Sequence, residues 1–264
     1  MNVFATSNSS AYSRPVAGVV RLVMALGLGL ILLPAGVAGR DANSTERGRF
    51  VARVQTVFAV AQKRFELEPT NNVAAWEFAR AGFDRAEYAT NDAERATLAI
   101  QCIAACRPLL GRAPESAAAH YYLGMNLGQL ARTKLLGAFK IVDEMEREFK
   151  AALTLDERFD HAGPDRNLGR LYFEAPVIGS VGSRAKARKH LQRAAEVAPG
   201  YPENRLNLAE AFLKWREKKN MQRELDLLEK LWPTARTQFT GEDWEEEWLD
   251  WQRRYDKLRR SAVH

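Results

Sequence analysis

One interval constrains this chain more than any other feature. Ala187, Leu191, Ala194 and Pro199 are answered 34 residues later by Met221, Leu225, Leu228 and Pro233, with Leu208, Ala209 and Phe212 between the two sets. A period of that size marks a supersecondary unit that stacks on copies of itself. Small residues at Ala187 and Ala194 let two antiparallel helices approach closely, and Leu191 and Phe212 fill the space between them. Pro199 cannot continue a helix, so it ends the second one and turns the chain back. One such hairpin cannot bury its own apolar face, whereas stacked neighbours can. From Arg49 to His264 the apolar residues keep helical spacing, with no sustained two-residue alternation of branched residues, so no strands are predicted.

The period and the residue pattern resemble the tetratricopeptide repeat (TPR). That resemblance implies an all-α fold, a right-handed α-α superhelix of about four helix pairs with flanking helices. A weaker first copy holds Trp76, Phe83, Ala96 and Ile100 and ends before Pro114. The second runs from His120-Tyr121-Tyr122-Leu123-Gly124 to Phe149 and Ala152, about nine residues longer than the consensus. The third begins Asn167-Leu168-Gly169-Arg170-Leu171-Tyr172 and resumes at Ala187, with a loop insertion of about six residues around Ala175–Ser180. The predicted organisation is an N-terminal segment over 1–39, a leading helix and linker over 40–72, the TPR solenoid over 73–235, and an amphipathic C-terminal helix over 236–264. In that last segment Thr240-Gly241-Glu242-Asp243 reads as a helix start. Trp244, Trp248, Trp251, Tyr255 and Leu258 then form one apolar stripe, suited to capping the solenoid or to docking another subunit.

The N-terminal segment has its own logic. Arg14 and Arg21 precede 18 uncharged residues, Leu22 to Gly39, that end in small side chains. A basic lead, an apolar stretch and a small-residue end describe a secretory signal, with cleavage expected after Ala38 or Gly39. The alternative is an uncleaved membrane anchor through residues 22–39, since 18 apolar residues reach the lower limit for spanning a bilayer. Either reading predicts an exported chain in the periplasm or cell envelope. No cysteine stands near the end of the segment, so lipid attachment there is excluded. Loss of Arg14 and Arg21 lowers the net charge only from +6 to +4. Basic and acidic residues interleave without a basic stripe, which argues against nucleic acid as a partner.

Local motifs for chemistry are sparse. Gly179-Ser180-Val181-Gly182-Ser183 lacks both the spacing of a phosphate loop and that of a hydrolase elbow, and reads as an inter-helix loop. Cys102 and Cys106 lie four apart on one helix face and supply only two of the four ligands of a structural zinc, so buried packing is expected. No catalytic residue, metal site or cofactor is predicted, and the chain reads as a non-enzyme.

The most distinctive stretch runs His161-Ala162-Gly163-Pro164-Asp165-Arg166-Asn167-Leu168-Gly169-Arg170-Leu171-Tyr172-Phe173-Glu174-Ala175-Pro176. It resembles the T component of TRAP (tripartite ATP-independent periplasmic) transporters, in which a Gly-Pro-x-Arg-x-Leu-Gly-Arg-Leu-Tyr run precedes an Ala-Pro loop. The similarity continues over Glu196–Glu210 and covers roughly residues 90–232. It implies an envelope protein without catalysis that works beside a solute-binding subunit or holds a small solute; a general TPR scaffold for protein partners is the alternative, and homo-oligomers are open to either. The TPR resemblance also implies where a partner sits, because the first helix of each pair lines the concave face. The positions carried over are Glu77, Asp84 and Arg85 in the first copy and Tyr121, Met125 and Gln129 in the second. The third offers Arg166, Arg170 and Glu174, the fourth Glu210 and Lys214. Arg166 and Arg170, one turn apart, are expected to project into solvent, either to hold a carboxylate jointly or to belong to an ordinary solvated helix face with intrahelical pairs such as Arg170–Glu174. Their removal is then expected to leave folding unchanged.

Overall fold

The computed structural model describes residues 40–134 and 137–263. The expected export signal or anchor, with its cleavage point, lies outside the described residues. Among those described, no helix is long and apolar enough to cross a membrane. The described residues form ten α-helices and no strand: α1 (Arg40–Leu67), α2 (Asn72–Glu87), α3 (Asp92–Arg112), α4 (Ala117–Arg132), α5 (Ala138–Leu155), α6 (Phe159–Glu174), α7 (Arg184–Val197), α8 (Pro202–Lys214), α9 (Lys218–Gln238) and α10 (Glu245–Val263). Four antiparallel pairs, α2/α3, α4/α5, α6/α7 and α8/α9, stack in chain order into an all-α TPR superhelix. α1 packs on α2, and α10 packs on α8 and α9 as each first helix packs on the pair before it.

Local chemistry explains where the helices start. Asn71 accepts from the Val73 and Ala74 amides, Asn91 from Glu94, Ser116 from Ala119 and Ser183 from Lys186. Each such cap contributes about 1 kcal/mol. Within the pairs, glycine sets the approach distance. A Cβ on Gly124 would stand 2.7 Å from the Phe149 ring, and one on Gly169 2.7 Å from the Leu191 side chain. These contacts join α4 to α5 and α6 to α7. Phe149 and Leu191 are themselves fully buried.

Ala194 sits in the same kind of seam, 1% exposed on α7. An Ala194→Trp substitution is expected to lower stability by about 1–3 kcal/mol or more, read as a drop in the thermal midpoint, because the ring has no space between packed helices. An unchanged midpoint would show that α7 does not face its neighbours through Ala194.

Three details depart from the sequence reading. Ile100, assigned to the first copy's core, is 53% exposed; Ala99 and Ile103 carry that face of α3 instead. Pro233 does not end its helix as Pro199 does. It lies inside α9, which continues to Gln238. Ala235, Phe239 and Trp244 bury beyond Pro233, and that contact outweighs the lost backbone bond. Nor does Thr240 cap a helix: Gly241 takes a positive φ of 94°, a short 3-10 turn follows over Glu242–Trp244, and α10 begins only at Glu245.

Candidate functional site

The inner face of the superhelix is built around a backbone conformation that side chains must hold in place. Asp160, His161 and Ala162, at the start of α6, have φ of 48°, 55° and 64°, a single left-handed turn made without glycine. Each such residue costs roughly 1–2 kcal/mol. Regular α-helix resumes at Gly163, with Pro164 in the first turn, where its missing N–H leaves no bond unmade. Gly163 has no alternative, since a Cβ there would lie 2.7 Å from the Tyr121 hydroxyl.

Arg166 staples this turn. One terminal nitrogen donates to the carbonyls of Asp160 (3.0 Å) and His161 (3.1 Å), and the other to the Asp160 carboxylate at 2.6 Å. The Tyr121 hydroxyl donates to the same carboxylate at 2.5 Å and accepts from Asn167 at 2.9 Å. From α8, Asn204 donates to the His161 carbonyl at 3.0 Å, and Glu203 lies 3.7 Å from the Arg166 guanidinium. The His161 ring stacks on Tyr201, centroids 4.5 Å apart. Burial and the nearby Asp160 carboxylate push the Tyr121 hydroxyl's pKa well up, so it stays a neutral donor.

A second cluster follows one turn along α6. Arg170 pairs with Glu174 and, at 3.1 Å, with Glu210. Arg254 of α10 reaches over Glu210 at 2.8 Å and also donates to Asn207. The structure thus brings Arg166, Arg170, Glu174, Glu210 and Tyr121 together, but as a buried network. Arg166 is 3% exposed and Arg170 8%. The expectation of solvent-facing arginines free of packing is corrected: α10 lies over the inner face of α8, and the carboxylates available to the arginines come from the protein itself. Tyr121, Met125 and Gln129 are each 1% exposed, and Gln129 bonds to Glu87. Of the eight positions carried over in the second to fourth copies, only Lys214 is exposed, apart from the network.

The open part of the inner face lies at the first pair. A cleft of about 510 Å³ runs between α1 and α2 and is closed at one end by Asp243. One wall is apolar, formed by Val54, Val57, Val60 and Ala61 of α1; the other carries Trp76, Glu77, Arg80 and Asp84 of α2. Arg64 pairs with Glu77, and Arg53 pairs with Asp243 at 3.7 Å while donating to the Glu242 carbonyl, so ion pairs brace both ends. Glu77 and Asp84 were legible as inner-face positions. Arg53, Arg64 and Asp243 were not, because nothing in a repeat pattern places a leading helix or a C-terminal turn beside the first copy. Arg85, also expected here, pairs instead with Glu94 of α3. Cys102 and Cys106 are buried, and burial lifts the Cys106 thiol to about 12. Among the described residues, no group of three or more His, Cys, Asp or Glu is placed to hold a metal ion.

Burial raises the Asp84 carboxyl to about 7, reinforced by Glu246 and Asp160 and opposed by Arg80. The folded chain therefore holds a proton that the unfolded chain releases near pH 4. Its stabilising contribution is full below pH 4 and is lost as pH rises through about 7. Asp84→Asn keeps the neutral form at every pH. Its stability advantage over the parent is expected to open between pH 4 and 7 and to level off at about 2–4 kcal/mol, seen in urea titrations at several pH values. A pH-independent difference would contradict the raised pKa.

No protein-family model matches the chain, and no curated protein matches it in sequence. Among solved structures, it is similar to a thermophilic TPR protein of Thermus thermophilus, with a TM-score of 0.55 and 18% identity over 82% of this chain and 95% of that one. At that identity the likeness is one of fold, and the fold is a TPR superhelix.

Proposed function

We propose that this chain is a non-enzymatic binding protein of the cell envelope, the T component of a TRAP-type solute uptake system, and that the cleft between α1 and α2 holds its ligand. The observation that carries the proposal is the cleft itself. At about 510 Å³ it has the volume of a small-molecule site, and it joins an apolar wall to a wall of Trp76, Arg80 and Asp84. Along the third and fourth pairs the inner face is occupied by the protein's own ion pairs. The basic lead and the uncharged stretch Leu22–Gly39 support export. The Gly163-Pro164-x-Arg166 run supports the TRAP reading by resemblance, although its visible role is to hold the left-handed turn.

The test pairs calorimetric titration of small polar and amphipathic solutes with affinity purification from the native envelope. Arg64→Ala opens one end of the cleft, and because Arg64 is 42% exposed its loss should leave the thermal midpoint unchanged. It is expected to weaken solute binding about tenfold. A solute-binding subunit should co-elute. Solute binding untouched by Arg64→Ala would place the ligand elsewhere.

A second reading, a general TPR scaffold for peptide segments, is favoured by the rim of the cleft. Val57 and Val60 are 45% and 66% exposed there and offer an apolar strip to an extended chain. Co-elution of unrelated proteins, with no solute bound, would select it.

A further inference from the structure

Successive helices joined by short loops run antiparallel, so every turn from a first to a second helix lies on one edge of the superhelix, together with the start of α1. At the third pair that edge carries two adjacent exposed apolar side chains, Val177 at 74% and Ile178 at 91%, the second being the most exposed large apolar side chain described; Leu67, at the far end of α1, matches Val177 at 74%. The loop that presents them is braced. The Gly182 amide donates to the Pro176 carbonyl at 3.1 Å and the Ser183 amide to the Tyr172 carbonyl at 2.9 Å. Residues 177–181 therefore form a fixed tip. At the second pair, Phe139 in the first turn of α5 is 46% exposed.

From the second pair to the fourth the charge on this edge is one-sided, whereas the turn of the first pair carries Asp92 and Glu94. Residues 133–140, 175–186 and 215–219 contain a single acid, Glu217, which Arg184 and Arg188 already hold. Lys134, Lys140, Lys218 and Lys219 stand exposed at the helix ends. The opposite edge is the reverse: its loops 113–116 and 156–158 contain Glu115, Asp156 and Glu157 against Arg158 alone. The uncharged stretch Leu22–Gly39 joins the body at Arg40, where α1 begins on the same edge.

We propose that the basic edge is a membrane-contact surface for an anionic lipid bilayer, with lysines at the headgroups and Val177 and Ile178 entering the interface. Two apolar side chains alone hold a protein weakly, and lysines near an anionic surface add to them. The surface is separate from the cleft and does not depend on what the cleft binds.

The test uses the full chain with Ile178→Cys carrying an environment-sensitive fluorophore; Cys102 and Cys106 are buried and leave the introduced thiol as the reactive one. Vesicles of phosphatidylglycerol and phosphatidylcholine are compared with phosphatidylcholine alone. On anionic vesicles the label is expected to shift to the blue and to be quenched by brominated lipid, whereas a label at Glu115→Cys on the opposite edge stays unchanged. Lys218→Glu with Lys219→Glu should cut partitioning by at least about tenfold. Val177→Ser with Ile178→Ser should also reduce it, with the thermal midpoint unchanged. Residues 22–39 can bring the chain to vesicles by themselves, so the site of the label response decides rather than sedimentation. A silent label at position 178 on vesicles that carry the protein would overturn the proposal. So would equal responses at positions 178 and 115, or equal responses on neutral and anionic vesicles. A label silent on vesicles but shifted by envelope extract would assign the edge to a protein partner instead.

Discussion

Arg166→Ala is expected to destabilise the protein by about 3–5 kcal/mol, the penalty for stranding buried charge. The guanidinium is 3% exposed and faces Asp160 and Glu203, whose side chains are 6% and 4% exposed. Its removal leaves two carboxylates short of their cation. It also releases the carbonyls of Asp160 and His161 from the donors that hold a left-handed turn. Arg166→Lys keeps the charge but replaces five fixed donors by a point charge, so it should recover only part of the loss. Urea unfolding of the three proteins measures this. An Arg166→Ala midpoint equal to the parent's would mean that the turn is held without the arginine. Loss of ligand affinity in this variant would say nothing of contact, because the inner face would no longer be intact.

Trp251→Ala is expected to cost about 3–5 kcal/mol in its own right. The indole is 1% exposed and packs edge-on against Tyr201 and Trp248, at centroid distances of 5.5 and 5.0 Å, and against Phe239 at 5.9 Å. No neighbouring element can collapse into a space of that size without pulling α10 off α8. The local consequence should precede the global one. As α10 loosens, Arg253, Arg254 and Lys257 become available to trypsin, so limited proteolysis should clip the C-terminal helix faster in the variant while the repeats stay resistant. Equal cleavage rates would show that Arg254 alone, through Glu210 and Asn207, keeps the helix seated.

What the sequence made legible was decided by periodicity. Ala187, Leu191, Ala194 and Phe212 announce their packing by spacing, and all four are buried at a helix seam. The long second pair and the inserted loop before Ser183 were readable because an insertion leaves the pattern intact on either side. Arg166 and Arg170 were legible as inner-face residues but not as buried ones. Position on a helix gives a direction, whereas burial depends on what lies opposite. Here that is α8 and, across it, Arg254, some 84 residues from Arg170 along the chain. The left-handed turn at Asp160–Ala162 was out of reach, because no glycine or asparagine marks it; Arg166 of the same helix and the distant donors Tyr121 and Asn204 make it tolerable. The cleft shows the same limit, being closed by Arg53 and Asp243, which stand 190 positions apart.

A stack of identical modules behaves as a one-dimensional array, in which each unit answers only to its neighbours and units can be added or removed with little consequence. The Asp160–Ala162 turn removes that freedom here. It belongs to the third pair, yet beside its own Arg166 it is held by Tyr121 in the second and Asn204 in the fourth. None of the three can be deleted, duplicated or exchanged without stranding polar groups in the other two. The chain should therefore tolerate repeat shuffling poorly and melt as one cooperative block, with evolution free to vary length at its loops but not to change the number of central pairs.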